Sequence, residues 1–85
     1  MKDKIKDMLE DLLPLVDLDS DFLFSELDSL GVTTILMTLS SEFGIELELK
    51  DATPKNLKNL DNIVALVERK LSEKNENTKN AEKNT

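Results

Sequence analysis

Chemistry in this chain can rest only on hydroxyls, carboxylates and lysines, because it contains neither His nor Cys. Their absence removes Ser–His and Cys–His nucleophiles, the usual general base near neutral pH, and imidazole or thiolate metal sites. Two serines follow an acid. Leu27-Asp28-Ser29-Leu30 leads directly into a run with helical apolar spacing. Leu18-Asp19-Ser20-Asp21 instead meets Phe22-Leu23-Phe24, which does not open a helix of the right period, so Ser20 reads as a loop residue. Asp28 has the character of an N-cap: its carboxylate can accept from the free amides of the next turn, and its charge suits the positive end of the helix dipole. Taken alone, Ser29 is an ordinary first residue of a helix.

The acids before it imitate a calcium loop, with Asp17, Asp19, Asp21 and Asp28 at the first, third, fifth and twelfth positions. Phe22 stands where the sharp turn needs Gly, and Asp28 is shorter than the usual bidentate Glu. The stretch reads as a clustered acidic loop, with no metal site and no catalytic residue expected. Met8 and Met37 read as core or interface filler.

The elements that hold these residues follow from spacing. Ile5, Met8, Leu9, Leu12 and Leu13 lie on one face of a first helix, which Pro14 should end near Leu13. Residues 14–27 form a long connection whose Leu15, Val16, Leu18, Phe22, Leu23, Phe24 and Leu27 should pack across the bundle. Val32, Ile35, Leu36, Leu39 and Phe43 mark a second helix over 29–43, and Gly44 is placed for a left-handed C-cap. Ile45 to Leu49 alternates apolar and acidic and, lacking a partner strand, reads as an extended linker. Thr53-Pro54 opens a short helical turn through about Leu57. Leu60, Ile63, Val64, Val67 and Leu71 mark the last helix, and residues 72–85, with no large apolar side chain, are expected to be a disordered polar tail. The division is one domain over 1–71 plus the tail at 72–85.

At 85 residues the chain is one domain at most. Only three Phe and no Trp or Tyr are present, so the core must be aliphatic, and two Gly and two Pro are too few for an all-β chain. The net charge is −7, and residues 1–30 alone hold three Lys against nine Asp or Glu, a net of −6. Phosphate backbones and anionic membrane leaflets repel such a chain, so nucleic acid and membrane insertion are not expected, and partners should present basic surfaces. Zero Cys and the absence of a signal core fit a cytoplasmic protein, expected to be a monomer.

Leu27-Asp28-Ser29-Leu30, the following Gly31-Val32-Thr33-Thr34-Ile35-Leu36-Met37 and the ending Glu42-Phe43-Gly44-Ile45 together resemble the acyl carrier protein family. Its members share an Asp-Ser-Leu signature at the start of the second helix, which commonly closes on Glu-Phe and Gly or Asp. Ala52-Thr53-Pro54-Lys55-Asn56-Leu57 and Leu60 to Val67 look like the short third and the fourth helix of peptidyl carrier domains, so the likeness covers about residues 3–71. It implies an all-α, four-helix bundle of three longer helices and one short one. It also implies a stand-alone, non-enzymatic carrier that holds acyl or aminoacyl cargo as a thioester on a 4'-phosphopantetheine arm. By the same resemblance Ser29 is the attachment residue, Asp28 caps the helix and helps position a phosphopantetheinyl transferase, and Leu30, Thr33 and Met37 meet partners. Those partners would be the transferase, an acyl- or aminoacyl-loading enzyme and downstream synthases.

The chain departs from the family pattern in three places. Leu27 meets Asp28 directly, as in carriers for D-alanine, and the connection before the site is short. The outward positions of helix two are mostly Thr33, Thr34, Thr38, Ser40 and Ser41, with Glu42 alone charged. Partner enzymes of housekeeping fatty-acid synthesis bind an acidic helix two, so a dedicated biosynthetic pathway is the better expectation. The alternative is a small acidic helical adaptor that binds partner proteins without modification.

Overall fold

The structure, a computed structural model, describes the backbone of residues 1–83 and the side chains through Asn75. Three α-helices, α1 (Lys2–Leu12), α2 (Ser29–Phe43) and α3 (Leu60–Lys83), each pack against the other two, and no strand occurs among the described residues. α1 buries Ile5 and Leu9 completely and rests Met8 and Leu13 against the same core. It ends as Pro14 requires: Leu13 leaves the helix at φ −128°, ψ 64°, with its amide still bonded to Leu9 O.

The core is aliphatic, as the composition demands. Ile5 and Leu9 of α1, Ile35 and Leu39 of α2 and Ile63 and Val67 of α3 share one buried cluster, and none of the fully buried side chains is aromatic. Each such side chain contributes about 1.5–3 kcal/mol relative to exposure. The connection between α1 and α2 joins this core through Leu18 and Leu23, both buried, while Val16, Phe24 and Leu27 pack at its edge. Leu23–Glu26 forms one 3-10 turn. The expected packing of this segment across the bundle holds for those five residues. It fails for Leu15 and Phe22, which stand 98% and 70% exposed.

The four-helix expectation is corrected to three helices with short 3-10 and other turns between them. Ile45 to Glu48 is irregular, and a 3-10 turn over Leu49–Asp51 takes the end of the expected linker. The short helix expected from Thr53 to Leu57 is a single turn. Thr53 starts it as foreseen, accepting the Asn56 amide on Oγ1 and the Leu57 amide on its carbonyl. The turn ends on a long 3-10-type bond from the Lys58 amide to Lys55 O at 3.4 Å, and its carbonyls also take donors from outside it. Asn62 Nδ2 donates to Lys55 O at 2.8 Å, and the Leu23 amide donates to Lys58 O at 2.7 Å. Asn59 must leave the turn to cap α3, where its Oδ1 accepts from the Asn62 amide. The turn still buries Leu57 completely, so it supplies the packing of a helix without its length.

At the other end, the boundary drawn at Leu71 moves. Helical backbone continues through Lys83, consistent with the good helix propensity of Glu and Lys and with i,i+3 pairing of Lys70 and Glu73. Of the tail expected to be disordered over 72–85, the backbone is helical through Lys83, while residues 84–85 and the side chains beyond Asn75 lie outside the described residues.

The second connection is locked by Asp51. Its carboxylate accepts the Glu48 amide at 2.9 Å and meets Lys70 of α3 at 3.3 Å, with both side chains largely shielded. Burial pushes the Asp51 carboxyl up, but the Glu48 amide and Lys70 outweigh it and hold it below its usual range. A carboxyl depressed in the folded state contributes stability that is complete above its unfolded value of about 4. That contribution drains away as pH falls through the lower folded value. Asp51→Asn should therefore lower stability at neutral pH and show a shallower loss than wild type below about pH 4, as read from urea midpoints across a pH series. Parallel curves for the two proteins would show that the pair contributes nothing.

Candidate functional site

α2 begins at Ser29 because Asp28 makes it begin there. Asp28 is extended (φ −95°, ψ −179°), and its Oδ1 accepts the Gly31 amide at 2.7 Å. Its carbonyl takes the first intrahelical bond, from the Val32 amide at 3.0 Å. The amides of Ser29 and Leu30 come before that bond, so they are the helix-end donors that face outward. Ser29 is exposed at this point, and the positive end of the α2 dipole lies beneath it. At the far end Gly44 adopts φ 61°, ψ 36° and closes the helix through its amide to Ser40 O.

Gly31 escapes a reading based on apolar spacing, yet the cap depends on it. A Cβ there would lie 3.3 Å from Asp28 Oδ1 and 3.6 Å from Leu27 Cδ2. The missing side chain lets the carboxylate fold down onto the amide. A glycine within the first turn of an otherwise good helix was the available signal.

The other candidate residues sort by face. Ser29 and Thr33 are one helical turn apart, and Thr33 Oγ1 donates to Ser29 O at 2.9 Å. Beyond Thr33 the same side of α2 borders an apolar groove of about 580 Å³, walled by Leu36, Met37, Ile45, Leu47 and Leu49. Met37 is 68% exposed on its rim, which makes it a surface residue, whereas Met8 is half-buried against the core. Leu30 is 74% exposed and lies about 100° round the helix from Ser29. Ser40, read from sequence as an outward hydroxyl, is half-buried instead. Its Oγ accepts the Leu47 amide at 3.1 Å, fixing the chain as it leaves α2.

Electrostatically, α2 is close to neutral. Glu42, its one charged residue, pairs with Lys4 of α1 at 2.9 Å. The acids gather in the preceding connection, where several are engaged: Asp19 meets Lys6 at 3.1 Å, Asp17 Oδ1 accepts the Asp19 amide, and Glu26 Oε1 accepts the Asp17 amide. This bonding builds a turn, and among the described residues no group of three or more carboxylates is placed to hold a metal ion. The rival serine belongs to that turn as well, since Ser20 is half-buried and its Oγ accepts the Phe22 amide at 3.0 Å. The two Asp-Ser pairs thus differ physically: one hydroxyl props up a loop and the other stands free of the surface at a helix start.

Among the described residues no helix is long and apolar enough to cross a membrane. Searches of curated proteins and of solved structures each gave no match. A family model described as the phosphopantetheine attachment site matches residues 3–69, from the first turn of α1 to the middle of α3. The chain belongs to this family of carrier domains, which bear 4'-phosphopantetheine and are not themselves catalysts.

Proposed function

We propose that the chain carries acyl or aminoacyl cargo on a 4'-phosphopantetheine arm esterified to Ser29, and presents it to partner enzymes of a dedicated cytoplasmic pathway. The observation that carries this reading is the position of Ser29: an exposed hydroxyl on the first residue of α2, beside two outward amides, inside the matched segment. When bound, the arm supplies a terminal thiol that holds cargo as a thioester, which a chain without Cys cannot do by itself.

The residues present fit such a group. The Ser29 oxygen becomes one ester oxygen of a phosphodiester, and the anion so formed faces the helix-end amides and the positive end of the dipole. The Asp28 carboxylate would repel that anion if it were aimed at it. Its hydrogen bond to the Gly31 amide holds it down against the helix. The groove beyond Thr33 and Met37 provides apolar surface along the side of α2 on which Ser29 lies. The transferase and the loading enzyme would approach over Leu30, Thr33 and Met37. With α2 nearly neutral, long-range attraction of basic partners comes from the acids of the preceding connection.

Ser29→Ala is expected to abolish loading while changing stability by less than about 0.5 kcal/mol, as for most surface substitutions. Intact mass after incubation with coenzyme A and a broad-specificity phosphopantetheinyl transferase is the measurement. Arm uptake by Ser29→Ala, together with its loss in Ser20→Ala, would reverse the assignment, and no uptake by wild type would favour the unmodified adaptor.

Asp28→Ala removes the cap and should cost about 1 kcal/mol in urea denaturation, most of which Asp28→Asn restores. A role in positioning the transferase is read separately from the loading rate of Asp28→Asn. A rate equal to wild type limits Asp28 to capping.

A further inference from the structure

The segment that walls the groove beside α2 has both of its ends held by one face of α3. It leaves α2 at Gly44, lines the groove with Ile45, Leu47 and Leu49, and closes on the 3-10 turn at Asp51. At its first residue Lys74 Nζ donates to Gly44 O at 2.7 Å. At its last, Lys70 Nζ meets Asp51 Oδ1 at 3.3 Å, while Oδ2 of the same carboxylate accepts the Glu48 amide. Between the ends, Ser40 accepts the Ile45 amide on its carbonyl and the Leu47 amide on its hydroxyl.

Lys70 and Lys74 are four residues apart and lie one above the other on α3. The same row starts at Leu66, which is fully buried, so it changes from apolar to cationic where α3 runs past the core. Each cation suits what it meets. Lys70 faces a shielded carboxylate, and Lys74 faces a carbonyl at the negative end of the α2 dipole. Gly44 serves this contact as well as the turn, since a Cβ there would stand 3.0 Å from Lys74 Nζ. Apolar packing gives α3 no reason to continue past Leu71, and the bond to Gly44 O does.

We propose that Lys70 and Lys74 are positioning residues that latch the outer wall of this groove, and that the turn of α3 beyond Leu71 therefore belongs to the cargo-handling surface. Lys74 is the releasable half, because its bond to Gly44 O is exposed whereas Lys70 and Asp51 shield each other. Without Lys74 the first end of the segment is left to Ser40 and to the buried Ile45, and the wall loosens while the bundle stays folded. The proposal rests on the carrier reading for its purpose: an arm rooted at Ser29 swings over this side of α2, and the set of the wall decides how much apolar cover its cargo meets.

The test is amide hydrogen exchange of the full chain, read residue by residue by NMR. Lys74→Met keeps an unbranched apolar stem and removes the charge. It should speed exchange of the Ile45, Leu47 and Glu48 amides about fivefold, the scale of one exposed charged bond. The Leu9 and Leu39 amides, in the middle of α1 and α2, should exchange as in wild type. Lys74→Arg should restore most of the lost protection. On the chain loaded with an octanoyl thioester, hydroxylamine should release the cargo faster from Lys74→Met than from wild type. An acetyl thioester, too short to gain cover, should be released at equal rates from both.

Unchanged exchange at those three amides overturns the proposal. An equal rise throughout α1 and α2 does the same, since it makes Lys74 a general stabiliser of the bundle. Faster exchange with no change in octanoyl release also overturns it, because the two lysines are then limited to local structure. The carrier reading fails separately, on intact mass, and the exchange comparison can be read on the unmodified chain in that event.

Discussion

One carboxylate fixes the geometry on which the rest depends. Asp28 accepts the Gly31 amide and offers its carbonyl to Val32, and between them these bonds start α2 at Ser29 rather than a residue earlier or later. A shift of one residue turns a helix by about 100°. Ile35 and Leu39 would then swing out of the core, and Ser29 would lose its place beside the outward amides. Burial of those aliphatic side chains and presentation of the hydroxyl are therefore settled by the same local bond.

The two connections divide the remaining work unequally. The first is acidic and leads into α2 through a 3-10 turn anchored by Leu23. The second is stitched by side-chain amides, with Asn56 donating to Asp51 O and Asn62 to Lys55 O, and is pinned to α3 through Lys70. The side near Ser29 is left with exposed leucines, Leu15 and Leu30.

Features set by local chemistry were legible in the sequence. α2 spans 29–43 with Asp28 before it and Gly44 after it, as cap rules alone foresee, and Pro14 stops α1 where its steric clash requires. The short helix after Thr53 was not legible, because its fate lies with distant partners. Lys58 O accepts from Leu23 and Lys55 O from both the Lys58 amide and Asn62, and no window of sequence contains both members of the Leu23–Lys58 pair. The continuation of α3 past Leu71 was missed because apolar periodicity marks only the part of a helix that packs, and the propensity of the polar stretch carries the rest. At the candidate site, the exposed position of Ser29 at the start of α2 followed from its neighbours in the chain. The part played by Gly31 did not, because its value is a distance to Asp28 that a one-dimensional pattern does not contain.

The bond from the Leu23 amide to Lys58 O has a consequence for how the domain opens. It joins two segments that have little regular structure, and each also contributes a buried leucine, Leu23 and Leu57. Loops ordinarily detach one at a time at small cost, each as its own unit of local unfolding. Here neither can lift away without leaving an orphaned amide or carbonyl and opening a hole in the core. The two connections are therefore coupled, and the Leu23 amide should exchange with solvent only when the second connection also gives way.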